Sequence, residues 1–130
     1  MLQYEIADCL TRIRNAYLRG QSKTKVRKTK FNASVLAVLK EQGSIKGYEN
    51  GQGDDKYFIV VSLMYINRRP SLRSVKVCSR PGLRVYHACD KIPTFKSGLA
   101  YGVMSTSKGM MTTHQAKSAG VGGELVCVVE

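Results

Sequence analysis

Acidic side chains are what this sequence lacks. Asp and Glu together number 9 against 21 Lys and Arg, a net charge of +12. The scarcity is uneven. Nine basic residues and no acid stand from Cys9 to Lys40, and seven basic residues and no acid from Lys56 to Cys89. Stretches that long without an anion build a broad positive potential that draws polyanions. Nucleic acid is the polyanion this pattern suits. An anionic membrane would need cations and apolar residues on opposite faces of one amphipathic segment; here the cations spread along the whole chain.

Long apolar runs are missing too. None reaches the ~20 residues that cross a bilayer. Glu5 and Asp8 interrupt the N-terminus before a secretory segment forms. A soluble, non-secreted protein is expected, with no membrane partner. The four cysteines, Cys9, Cys78, Cys89 and Cys127, include no CxxC pair and no zinc-ribbon spacing. They read as structural thiols in a reducing compartment, and neither metal nor cofactor is expected. His87 and His114 are the only histidines, and no G-x-S-x-G elbow accompanies them. A serine triad and a small-molecule substrate therefore find no support.

What is present is a chain of 130 residues, 43% apolar, enough for one domain or two small lobes. Ile6, Leu10, Ile13 and Tyr17 recur at helical spacing, and Gly20 closes that helix. "QSKTKVRKTK" reads as a short basic strand or arm. Thr29 caps a second helix whose apolar face is Phe31, Val35, Val38 and Leu39, ending at Gly43. "SIKGYE", the turn cluster "NGQGDDK" and "YFIVVSLMY" (residues 57 to 65) then form a hairpin. "INRRPSLR" reads as a linker, because Pro70 cannot donate to a sheet.

Beyond the linker the texture is short β segments and glycines. "SVKVCS" sets Val75 and Val77 on one face, Pro81-Gly82 makes a turn and "LRVYH" is a strand. Pro93 and Gly98 bracket irregular chain before the strand "LAYGVM". The loop "STSKG" follows, then a short helix with Thr112 and Gln115 at capping-box spacing, stopped by Gly120, and a last strand "ELVCVV". The expected class is α+β. Residues 1–67 form an N-terminal lobe of two helices on a small three-stranded sheet. Residues 68–130 form a C-terminal lobe that is mostly β with one short helix and binds RNA.

The segment Ser105-Thr106-Ser107-Lys108-Gly109 is the strongest candidate site. It is not a nucleoside triphosphate loop. That motif puts glycine before its lysine and a hydroxyl after it; here Ser107 precedes Lys108 and Gly109 follows. Hydroxyls that donate and accept suit base edges, ribose 2′-hydroxyls and phosphate oxygens. Lys108 adds a phosphate partner, and Gly109 allows close backbone approach. In "SRPGLRVYH", Arg80, Arg84, Tyr86 and His87 gather around one turn and strand, with Arg84 and Tyr86 sharing a face. A cation and a ring on one face suit phosphate contact beside base stacking.

"IADCLTRIRNA", "SRPGLRVY", "VMSTSKGMMT" and "GVGGELVCVV", in that order, resemble the small-subunit ribosomal protein eight family of the bacterial and organellar type. The resemblance covers essentially the whole chain. It implies a two-lobed protein without catalytic activity that binds the central domain of small-subunit ribosomal RNA directly and early in assembly. Neighbouring small-subunit ribosomal proteins are its other implied partners, and bacterial members also repress their own messenger. The residues it implies are Ser105, Thr106, Ser107, Lys108 and Gly109, then Arg80, Arg84 and Tyr86, and on the first helix Asp8, Thr11, Arg12, Arg14 and Asn15. The chain departs from the family pattern in three places. "KVRKTK" lacks the usual proline before the second helix, Ser44 replaces an aromatic after Gly43, and His87-Ala88-Cys89 follows Tyr86 where the family often has a basic residue one or two positions on. Ser44 is expected to loosen the N-terminal core. Such drift leans towards a mitochondrial member, with a bacterial cytoplasmic ribosome as the alternative.

Overall fold

Apolar residues three and four apart need one buried face, and helix α1 (Leu2–Leu18) supplies it. Ile6, Cys9, Leu10, Ile13, Ala16 and Tyr17 are all buried. The computed structural model describes residues 2–79, 82–93 and 100–130, with side chains from residue 5 onward. The basic arm is strand β1 (Lys23–Arg27), in which Val26 points inward and Lys23, Lys25 and Arg27 outward. Helix α2 (Lys30–Glu41) starts where the Thr29 hydroxyl accepts the Asn32 amide at 3.1 Å. Asn32 in turn donates its side-chain amide to the Arg27 carbonyl at 2.8 Å. These bonds fix the path through "KVRKTK" without a proline.

Strands β2 (Gly47–Asn50) and β3 (Phe58–Ser62) form the expected hairpin, and β1 pairs with the other edge of β3. All pairings are antiparallel, with Val26 opposite Ile59 and Thr24 opposite Val61. The return strand is shorter than residues 57 to 65 suggested and stops at Ser62. The expected linker is itself a hairpin, β4 (Tyr65–Ile66) and β5 (Arg69–Pro70). Its turn residues Asn67 and Arg68 have φ of 53° and 65°, the geometry of a two-residue hairpin turn. Pro70 is tolerated because a two-residue edge strand needs almost no amides.

The C-terminal half is a five-stranded sheet of β6 (Val75–Val77), β7 (Tyr86–His87), β8 (Tyr101–Thr106), β9 (Gly109–Thr112) and β10 (Gly123–Val129). "LRVYH" contributes only Tyr86 and His87 to it. Strand β9 was not expected: "STSKG" is the tip of a β8–β9 hairpin, not a loop before a helix. Thr112 ends β9 and also caps α3 (Thr113–Ala119), where both bonds of the capping box with Gln115 are present. Gly120 closes the helix in the left-handed conformation.

One cluster of buried residues runs from α1 and α2 through β1 and β3 to Val103, Val126, Cys127 and Val129. A smaller one gathers Ile92, Met104, Ala116 and Leu125 under α3. Ser44 does not loosen the first cluster as expected. It is 4% exposed, and its hydroxyl lies 2.5 Å from that of Tyr101, which reaches in from β8. Tyr17 donates to the Ser44 carbonyl at 2.5 Å and accepts from the Met64 amide at 3.1 Å. An aromatic ring is thus present at this junction, supplied by the other half of the chain. Tyr101→Phe should cost about 1 kcal/mol in urea unfolding, whereas Tyr57→Phe, at an exposed ring, should cost nothing measurable.

The cysteines are free thiols, with Cys9 and Cys127 buried. Burial pushes the Cys9 thiol from 9.0 up to about 12 and the Tyr101 phenol from 10.0 to about 12, and it pushes the Cys127 thiol up as well. The folded state therefore holds neutral forms that the unfolded chain ionises from about pH 9 upward. Stability should be full below about pH 9 and fall as pH rises towards 12. The check is a urea midpoint that drops between about pH 7 and about pH 10.5, and that drops less in Cys9→Ala/Cys127→Ala.

Candidate nucleic-acid interface

The β8–β9 register sets Thr106 opposite Gly109 and Ser105 opposite Met110, so Ser107 and Lys108 alone form the turn. Both are exposed. Thr106 builds that turn: its hydroxyl donates to the Gly109 carbonyl at 2.8 Å and accepts the Lys108 amide at 3.2 Å. Gly109 has φ of 110°, which only glycine adopts freely. The turn is thus held from inside, and the Ser107 hydroxyl and Lys108 ammonium project from it.

Strand β10 binds this hairpin to the second candidate element. Gly123 and Glu124 lie between β7 and β8, pairing with His87 and Tyr86 on one side and Thr106 and Ser105 on the other. Cross-strand neighbours share a face, so Tyr86, Glu124 and Ser105 form one row. The fit leaves no room for side chains. A Cβ on Gly123 would lie 2.3 Å from the Ser105 carbonyl oxygen, and one on Gly122 2.6 Å from the His87 carbonyl oxygen. The motif "GVGGE" therefore has a physical reason that sequence inspection did not supply.

Tyr86 is 63% exposed, so it is not a core tyrosine. Arg84 is also exposed, just before the strand. Val85, between Arg84 and Tyr86, is tied to Ser79, 1% exposed, a residue sequence inspection missed. Its hydroxyl donates to the Leu125 carbonyl at 2.8 Å and accepts the Val85 amide at 3.0 Å. Arg80 lies outside the described residues.

The helical set stands on the other half of the molecule. Asp8, Thr11, Arg12 and Arg14 are exposed on α1, and Asn15 is half-buried. Asp8 and Arg12 pair at 3.0 Å, one turn apart and both half exposed. Such a pair orients the guanidinium more than it stabilises the fold. The two line a cleft of about 360 Å³ with Glu5, Arg27 and Phe58.

So β10 joins the half-buried Ser105 and Thr106 and the exposed Ser107–Gly109 turn to the exposed Tyr86 and Arg84, with the buried Glu124 between Ser105 and Tyr86, and the α1 set stands apart. The arrangement offers hydroxyls, cations and an open aromatic ring on a rigid support. Among the described residues, no three His, Cys, Asp or Glu side chains could share a metal ion.

The family model for Ribosomal protein S8 matches residues 4–129. The chain belongs to the ribosomal protein S8 family. The relatives match over nearly their full length. A "Small ribosomal subunit protein uS8" of Cereibacter sphaeroides is 45% identical over 129 residues, covering 95% of each chain. That of Dichelobacter nodosus is 41% identical over 129 residues, covering 99% of each. That of Nitrosomonas europaea is 44% identical over 124 residues, covering 95% of each. A ribosomal protein S8 is a structural component of the ribosome, not an enzyme, which agrees with the motif orders that argued against catalysis. These relatives are bacterial and give the mitochondrial lean no support.

Proposed function

We propose that this ribosomal protein S8 is a constituent of the small subunit that binds the central domain of its ribosomal RNA directly and early, beside neighbouring small-subunit proteins. The observation that carries the reading is the Ser107–Lys108 turn. It is exposed, braced by Thr106, and linked through β10 to Tyr86 and Arg84 on a chain of net charge +12. Basic side chains supply affinity through counterion release. Ser105, Ser107 and Tyr86 choose the RNA, meeting bulged or unstacked bases that an A-form helix would otherwise hide. Asp8, Thr11, Arg12, Arg14 and Asn15 form a second contact on the lobe of residues 1–67, and the family resemblance adds Arg80 to the RNA-binding set of residues 68–130. Holding one RNA conformation prepares the site for later proteins.

The competing reading is an RNA-binding regulator that works off the ribosome. Co-sedimentation separates the two. The proposal expects tagged protein to travel stoichiometrically with small subunits through a gradient at high magnesium. Recovery only in the free-protein fractions would sink it.

A further inference from the structure

The β4–β5 hairpin has chemistry that the interface above does not use. Its base is anchored: the Tyr65 hydroxyl donates to the Gln21 carbonyl at 2.6 Å, and its ring packs edge-on against Tyr17 at 5.4 Å. Its tip is open. Ile66 is 61% exposed, and Asn67, Arg68, Arg69 and Pro70 are all exposed. Arg73 is exposed just beyond. Among the described residues none of these three arginines is in an ion pair. Glu130 lines a cleft of about 300 Å³ with Ile66, Ser71, Arg73 and Tyr101, and its carbonyl accepts the Arg73 amide at 2.6 Å.

Arg68 is the telling residue. Both turn positions have positive φ, and the second position of such a turn suits glycine. An arginine there is held in a left-handed backbone that its Cβ disfavours. Strain kept at an exposed tip points to a use for the side chain.

The hairpin also lies away from the Ser107–Lys108 turn. Ile66 lines the same cleft as Tyr101, at the start of β8, whereas Ser107 follows its end. Six residue steps along a strand span roughly 20 Å. The two tips therefore meet different phosphates of the RNA they bind.

We propose that the β4–β5 hairpin is a further RNA-contact element, beyond the β8–β9 turn and the α1 set, that holds backbone phosphates of an RNA segment separate from the one at the β8–β9 turn. The proposal rests on the RNA-binding reading above. Guanidinium forks at Arg68, Arg69 and Arg73 match phosphate oxygens two at a time, which lysines would not. Ile66 beside them suits the apolar face of a ribose or an unstacked base. The contact positions the RNA and reads no sequence.

The test is hydroxyl-radical footprinting and a salt-titrated binding series, with the full chain on a bacterial small-subunit rRNA central domain. The variants are Arg68→Gly/Arg69→Gln and Ser107→Ala/Lys108→Ala. Arg68→Gly/Arg69→Gln should keep or raise the thermal midpoint, because glycine fits the turn. It should also weaken binding roughly five- to tenfold, flatten the salt slope by about two units, and lose a patch of protection distinct from the patch lost in Ser107→Ala/Lys108→Ala. Wild-type affinity and an intact footprint in Arg68→Gly/Arg69→Gln, with Ser107→Ala/Lys108→Ala impaired, overturn this inference and leave the proposed function standing. The same RNA result with loss of incorporation into small subunits assigns the hairpin to a protein neighbour, and also overturns it. A wild-type chain that prefers the central domain no more than a scrambled RNA overturns both readings.

Discussion

Gly123→Ala is expected to destabilise the protein by about 3 kcal/mol and to impair RNA binding even where the chain stays folded. Its Cβ would meet the Ser105 carbonyl oxygen at 2.3 Å and the Thr106 methyl at 3.1 Å. The first neighbour is backbone, which cannot rotate away. Strand β10 must move from β8, and Ser105 and Thr106 move with it. Thr106 braces the turn that presents Ser107 and Lys108, so the damage travels straight into the candidate site. Gly82→Ala is the control. A Cβ there meets nothing within 4 Å, and its stability should stay within about 0.5 kcal/mol of wild type. Urea unfolding of the two variants checks the pair. A Gly123→Ala protein as stable as wild type would show that β7, β10 and β8 do not pack this closely.

The second large effect is on affinity. Ser105→Ala/Ser107→Ala/Lys108→Ala should bind the rRNA central domain roughly 100-fold more weakly. That is about 1–3 kcal/mol for a serine hydroxyl buried against RNA, plus one phosphate contact. The salt slope should flatten by about one unit. Stability should change little, because neither Ser107 nor Lys108 makes a side-chain bond inside the protein among the described residues. Thr106→Ala should behave differently, losing turn stability and affinity together. Unchanged affinity in the triple variant would reduce the segment to an ordinary hairpin turn.

Much of this was legible before any coordinates. The period of Ile6, Leu10, Ile13 and Tyr17, the Thr29 cap and the Thr112–Gln115 capping box are local signals, and local physics decided them. What escaped depended on distant partners. Strand β9 is four residues long and ends on the residue that caps α3, so its sequence looks like a helix lead-in. The β4–β5 hairpin carries Arg68 where a turn wants glycine and Pro70 where a strand wants an amide, so propensity argued against it. Ser44 looked like a defect because its partner, Tyr101, is 57 positions away. At the site, exposure was readable for Tyr86, Arg84 and Lys108. The bracing role of Thr106, the tether at Ser79 and the close approach at Gly122–Gly123 are products of strand register, and no spacing in the sequence encodes them.

The central claim is specific RNA readout by a basic protein, and one titration addresses it. The full chain would be bound to a central-domain fragment of small-subunit rRNA and to a scrambled RNA of equal length, across several salt concentrations. The account predicts a preference of at least roughly a thousandfold for the true fragment at physiological salt. It also predicts similar salt slopes for the two RNAs, because phosphate contacts dominate both. Equal affinities that collapse together as salt rises would mean that only the +12 charge is acting, and would contradict the account.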